Sequence, residues 1–133
     1  MKNKLIYIID DDKLTVKLMN ILISKNGFCE KIESFYDAQD AINQLKQNAG
    51  DNGNLPDAIL LDLNMPVMDG WQFLDEFISL PLTKEINVFI MTSSIDPADI
   101  EMASEYKVVK EYIMKPITTQ KLDVLCKLIG DLN

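Results

Sequence analysis

Histidine is absent from this chain. Its absence excludes a His-ligated zinc site, a Ser-His-Asp triad and a phosphohistidine carrier. Cysteine is scarce: Cys29 and Cys126 stand far apart in apolar contexts, with no C-x-x-C pair. A cysteine-held metal is therefore not expected, and both residues read as buried free thiols. Basic residues are outnumbered, 13 Lys+Arg against 21 Asp+Glu, for a formal net charge of −8. Phosphate-backbone binding needs clustered basic residues, so no nucleic-acid partner is expected. An acidic surface suits a basic protein or a cation instead. No apolar run approaches the length of a membrane span, so no membrane contact is expected. The first residues, "MKNKLIYIID", start basic, but acids follow the short apolar run at once. That is a poor signal peptide, and the reading is a cytoplasmic protein.

What is present suits one compact domain. The chain has 133 residues, 47% of them apolar, enough for a real core. Short apolar runs alternate with amphipathic segments. Leu5–Ile9 reads as a first strand. Leu14, Leu18, Ile21 and Leu22 follow at helical spacing, and Asn26-Gly27 is a helix stop. Cys29–Phe35 reads as a second strand. Asp37 is placed to cap a helix with Ala38, Ala41, Ile42 and Leu45 on one face. The polar loop Asn48–Pro56 precedes a third strand, Ala58–Leu61. A helix after Asp69-Gly70 carries Trp71, Phe73, Leu74, Phe77 and Ile78. Val88–Met91 is a fourth strand. Asp96-Pro97, an N-cap followed by proline, starts a helix carrying Ile100, Met102 and Ala103 that ends near Tyr106. Tyr112–Met114 is a fifth strand, and Thr118 or Thr119 caps a last helix with Leu122, Leu125, Cys126 and Ile129 inward. Five strands alternating with five helices predict a parallel α/β sheet, because parallel strands need crossovers.

In such sheets, ligands bind beyond the carboxyl ends of the strands. The residues that follow each strand are therefore the candidates. Strand one ends in Asp10, Asp11 and Asp12, strand three in Asp62, strand four in Thr92, Ser93 and Ser94, and strand five in Lys115. With strands one, three, four and five as neighbours, one edge gathers carboxylates, hydroxyls and a lysine. Carboxylates do not cluster uncompensated, but they hold a hard divalent cation such as Mg2+. Lysine suits a phosphoryl oxygen. A carboxylate can itself be the nucleophile that forms an acyl phosphate, so Asp62 is the candidate acceptor. Asp12 reads as a helix-capping or surface acid, Asp69 as a helix cap, Trp71 as packing, and Met65 and Met68 as loop packing.

The elements "IIDDD", "LLDLNMPVMDG", "FIMTSS" and "YIMKP" stand in order along the chain. At these residues the sequence resembles the receiver domain of two-component response regulators, over essentially its whole length. The resemblance implies a flavodoxin-like (CheY-like) doubly wound sheet of strand order 2-1-3-4-5, filling residues 1–133 as one receiver domain without an output domain. It implies phosphorylation of Asp62 by a sensor histidine kinase or small phosphodonor. Mg2+ would be held by Asp10, Asp11, Asp62 and the Asn64 carbonyl, with Asp11 the more direct ligand. Thr92 matches the switch hydroxyl, Lys115 the lysine that pairs with the phosphoryl group, and Tyr112 the aromatic switch. Pro66 and Gly70 would shape the loop after Asp62, and a cis peptide is expected before Pro116. Asn64 and Ser94 occupy positions that tune hydrolysis of the acyl phosphate. A protein target would read a face of helix four, strand five and helix five, in a monomer or weak homodimer. The domain would catalyse its own phosphorylation and dephosphorylation rather than act as an enzyme on other substrates. Two rivals stand beside this reading. One is a haloacid-dehalogenase-like phosphatase using Asp10 and Asp12 as a D-x-D pair. The other is a binding module that keeps the fold without phosphorylation.

Overall fold

A computed structural model describes residues 5–27, 29 and 31–131. The elements run β1 (Leu5–Ile9), α1 (Lys13–Asn26), β2 (Lys31–Phe35), α2 (Ala38–Gln47), β3 (Ala58–Leu61), α3 (Gly70–Ile78), β4 (Asn87–Thr92), α4 (Pro97–Ser104), β5 (Val109–Met114) and α5 (Thr119–Asp131). One five-stranded parallel sheet has the order β2-β1-β3-β4-β5, the expected flavodoxin-like arrangement. The expected second strand starts late: Cys29 precedes β2, and Glu30 lies outside the described residues, as do residues 132–133 beyond the last helix.

Side chains alternate across a strand, so parity sorts the core into two layers. Tyr7, Ile9, Ile59, Leu61, Val88 and Ile90 pack with α2, α3 and Ala103 of α4. Ile6, Ile8, Leu60, Phe89, Met91 and Ile113 pack with α1 and α5. The central strands are buried on both faces, which is why they read as continuous apolar runs.

One irregularity in β5 matters for the site. Val88 pairs with Val109, but Phe89 pairs with Glu111, so Lys110 is an extra residue in the ladder. Beyond this bulge the parity of β5 is reversed relative to simple alternation. Val109 packs with the α2/α3 layer, and Ile113, an even number of residues on, packs with the α1/α5 layer. Lys115, two further, inherits the side of Ile113.

The caps follow the sequence reading. Asp12 accepts from the Leu14 N–H, Asp37 from Asp40, and Asp96 from Ala98 with Pro97 behind it. Asp69 and Gln72 form a reciprocal capping box, and the Thr118 hydroxyl accepts from the Lys121 N–H. Gly27 ends α1 in the left-handed region, at φ 64°.

The inward face of α1 differs from the expected one. Leu14, Leu18 and Ile21 are 75%, 45% and 48% exposed, while Val16, Met19 and Ile23 are buried. Apolar residues cover both faces of this helix, and each set satisfies helical spacing. The sheet selects one, leaving the other as an apolar outer stripe. The cysteines are also corrected: both are free but only half-buried, packed at the margin of the α1/α5 layer. Partial burial, with the neighbouring Asp123 carboxylate second, pushes the Cys126 thiol up to about 12.

The loop before β3 is fastened at the amino end of the sheet. Thr83 bonds to Asn52, and Lys84 donates to the Leu55 carbonyl at 3.1 Å and pairs with Asp57 at 2.9 Å. Among the described residues, no helix is long and apolar enough to cross a membrane.

Candidate functional site

Ile9 pairs with Leu61 in the ladder between β1 and β3, so Asp10 and Asp62 are adjacent where the strands end. The backbone continues the ladder one step: Asp10 N–H donates to the Phe35 carbonyl and Asp62 N–H to the Ile9 carbonyl, each at 3.0 Å. By parity both acids project toward the α1/α5 layer, with Ile6, Ile8 and Leu60. The bulge in β5 sends Lys115 to that same side. Its Nζ lies 2.6 Å from Asp10 Oδ2 and 3.7 Å from Asp62 Oδ1.

Asp10 is fully buried and Asp62 nearly so, while Asp11 is exposed. A carboxylate oxygen from each of the three lies within 4.8 Å of the others. One lysine cannot balance three acids. Burial, with the Asp10 charge second, pushes the Asp62 carboxyl up to about 6 against the opposing pull of Lys115. Such an all-oxygen, anion-rich, part-buried set is the donor chemistry that Mg2+ takes. Asp10 is already engaged at both oxygens, Oδ1 accepting from Asp12 N–H at 2.9 Å and Oδ2 from Lys115. Asp12 faces away from this work. It caps α1 and accepts from the Thr15 hydroxyl at 2.8 Å, a bond that holds its carboxyl below the usual range.

The expected site residues fall into two groups. Asp10, Asp11, Asp62 and Lys115 form the first. Thr92 is buried at the end of β4, and its Oγ1 accepts from Asn64 Nδ2 at 3.4 Å and from Ser94 N–H at 3.2 Å. Tyr112 is half-buried and donates to the Ser94 carbonyl at 3.1 Å. This second group lies toward α4, one strand residue out of phase with the first. Lys115 N–H, donating to the Thr92 carbonyl at 2.8 Å, joins the two.

The loop after Asp62 is held by Gly70. A Cβ there would stand 2.8 Å from Leu63 Cα and 2.9 Å from the Asp62 carbonyl oxygen. Only glycine allows α3 to start against the backbone of the acidic residue. Met65 is buried and Met68 packs against the same layer, as expected of loop packing. Trp71 stacks on Tyr106, with ring centroids 5.9 Å apart. The peptide between Lys115 and Pro116 is cis. A 350 Å3 cleft lined by Leu18, Ser93, Lys115 and Ile117 opens beside the lysine.

The sequence reading missed one participant. Asp99, in the first turn of α4, accepts from the Ser94 hydroxyl at 2.6 Å. An acid at that position reads as ordinary helix-dipole compensation, and nothing in the sequence shows that Ser94 reaches it.

The chain matches the family described as response regulator receiver domain over residues 6–127. It is similar to a solved two-component response regulator from Cytophaga hutchinsonii, with 30% identity, TM-score 0.86, and coverage of 98% of this chain and 99% of that one. The phosphorylated cyanobacterial phytochrome response regulator RcpA gives 30% identity and TM-score 0.78, over 98% and 93% of the two chains. Response regulator Rcp1 of Synechocystis sp. is 29% identical over 106 residues, 79% of this chain and 72% of that protein. Other curated relatives are much longer, and the chain spans 28% and 7% of two of them. The match covers both halves of the site, and the chain belongs to the response regulator receiver domain family of two-component signalling.

Proposed function

We propose that this chain is a phosphoryl-accepting receiver, with Asp62 as the acceptor, serving a sensor histidine kinase or a small phosphodonor such as acetyl phosphate. The observation that carries the reading is the convergence of Asp10, Asp11 and Asp62 oxygens within 4.8 Å, with Lys115 Nζ 3.7 Å from Asp62. In the transfer, an Asp62 oxygen forms a bond to phosphorus. The bond from phosphorus to the donor nitrogen or oxygen breaks, and its electron pair leaves with the donor. Mg2+, when bound, neutralises charge on the transferring group. Asp11, Asp62 and the Asn64 carbonyl would hold it directly, with Asp10 acting through water because both its oxygens are already engaged.

The chain's own groups then respond to the added charge. Lys115 exchanges part of its contact with Asp10 for a phosphoryl oxygen. Thr92 turns its hydroxyl from the α4 side toward the acyl phosphate, and Tyr112 follows into the space vacated. The two-state element is the turn after β4 together with α4 and β5. Exposed Ile100, Met114 and Val124 lie on the α4–β5–α5 side, an apolar complement for a protein target or a weak homodimer in the cytoplasm. The phosphatase alternative is not supported, because Asp12 is committed to capping α1.

The test is intact mass after incubation with acetyl phosphate, with and without Mg2+, beside Asp62→Asn. One added phosphoryl group that needs both Mg2+ and Asp62 supports the reading. An unmodified wild type that also fails to bind beryllofluoride leaves a binding module on a receiver fold.

A further inference from the structure

Ser94 is the most heavily tied residue of the switch region. Its N–H donates to Thr92 Oγ1 at 3.2 Å, and its carbonyl accepts from Tyr112 at 3.1 Å. Its hydroxyl accepts from Asp96 N–H at 3.3 Å and donates to Asp99 Oδ2 at 2.6 Å. The last is the shortest and is charge-assisted, the strong class of hydrogen bond. The turn that carries the Thr92 hydroxyl is thereby pinned to the first turn of α4.

Resting on the acceptor role of Asp62, we propose that Asp99, through Ser94, is a positioning residue that holds Thr92 away from the phosphoryl site and so sets how readily the domain accepts a phosphoryl group. Thr92 and Asp62 sit out of phase on the sheet edge. The hydroxyl reaches an oxyanion on Asp62 only by leaving the Ser94 N–H. Movement of the turn strains the Ser94–Asp99 bond, because Asp99 is fixed to a helix that Asp96 caps. The bond is thus present in the form described here and lost or weakened in the phosphoryl-bound form. By linkage, its strength is subtracted from the affinity for a phosphoryl group. Asn64 Nδ2, at 3.4 Å from Thr92 Oγ1, is too long a contact to hold the hydroxyl alone.

The experiment titrates beryllofluoride with Mg2+ into wild type, Asp99→Ala and Ser94→Ala, reading affinity by calorimetry. Each variant is expected to bind about threefold to tenfold more tightly, the range of a part-exposed charge-assisted bond. The double variant is expected to gain no more than either single one. Glu101→Ala removes an acid from the same helix without touching Ser94, and is expected to match wild type. A purely structural role would not depend on Thr92. In a Thr92→Ala background the effect of Asp99→Ala is expected to vanish. Unchanged or weaker binding by well-folded Asp99→Ala and Ser94→Ala overturns the proposal, as does an effect that survives Thr92→Ala. Failure of wild type to bind beryllofluoride would sink the acceptor role itself, and this inference with it.

Discussion

Val67 lies at φ 68° in the loop between Asp62 and α3, and its side chain is wholly exposed. The Met68 N–H donates to the Pro66 carbonyl at 2.8 Å, closing a three-residue γ-turn centred on Val67. Positive φ marks the rare, strained form of that turn. A β-branched side chain is the poorest occupant of it, costing about 2 kcal/mol against glycine, which carries no Cβ. Glycine in turn gives up about 1 kcal/mol through the freer unfolded chain. No packing is lost, because the valine touches solvent only. Val67→Gly is therefore expected to stabilise the domain by about 1 kcal/mol, raising the melting temperature by about 4 °C. Val67→Ala keeps a Cβ at the strained position, so it is expected to gain less than half as much. The assay is urea unfolding of the three proteins with an unchanged m-value. If glycine destabilises, or alanine gains as much as glycine, the cost does not come from the backbone angle and the reasoning fails.

Three further outcomes concern the buried ionisable groups and the glycine that starts α3. Lys115→Met leaves buried Asp10 without its 2.6 Å partner, so stability should fall by about 3 kcal/mol, read by thermal melting. Millimolar Mg2+ should recover more of that loss than it adds to wild type; equal gains would argue against a cation taking up the same acids. Tyr7 is fully buried, and among the described residues no group makes a hydrogen bond of good geometry with its hydroxyl, Asn48 offering only a weak opposing pull. Burial first, then Glu33, pushes its phenol up from 10.0 to about 12. The folded state favours the neutral phenol, so its contribution is intact below pH 10 and lost as pH rises toward 12. By pH 11 wild type should have lost on the order of 1 kcal/mol that Tyr7→Phe does not lose, measured as the pH 9 to 11 change in urea stability of each. Gly70→Ala should cost about 2 kcal/mol or more in the same assay, since its Cβ meets backbone rather than a movable side chain.

The alternation of strands and helices and the residues of the first site group were legible because each signal was local, whereas the strand order came with the family resemblance. Buried parallel strands read as unbroken apolar runs, and Asp10, Asp62 and Lys115 stand at their ends. Caps were legible for the same reason: Asp37, Asp69 and Asp96 act within three residues of themselves. What was not legible depended on choices made between elements. Leu14 and Val16 lie on different faces of one helix, each at acceptable spacing, and only the sheet decides between them. The Ser94–Asp99 bond depends on how the turn after β4 folds back onto α4. The extent of β5 was also underread, because Val109, Lys110 and Glu111 give no clean alternation across a bulge.

That bulge separates two kinds of sequence change in β5. Lys110 and Glu111 are exposed, so their identities can drift with little consequence for the core. Lys110 is the residue the ladder leaves unpaired, so its removal would close the bulge and keep Glu111 opposite Phe89, Tyr112 opposite Ile90 and Ile113 opposite Met91. Ile113 would keep its layer and Lys115 its side. A residue gained or lost between Tyr112 and Lys115 meets no such slack. It would turn Lys115 to the opposite face of the sheet and leave Asp10 buried and unpaired. The bulge thus absorbs changes of length on the outer part of β5, while the count from Tyr112 to Lys115 fixes the chemistry of the acidic edge.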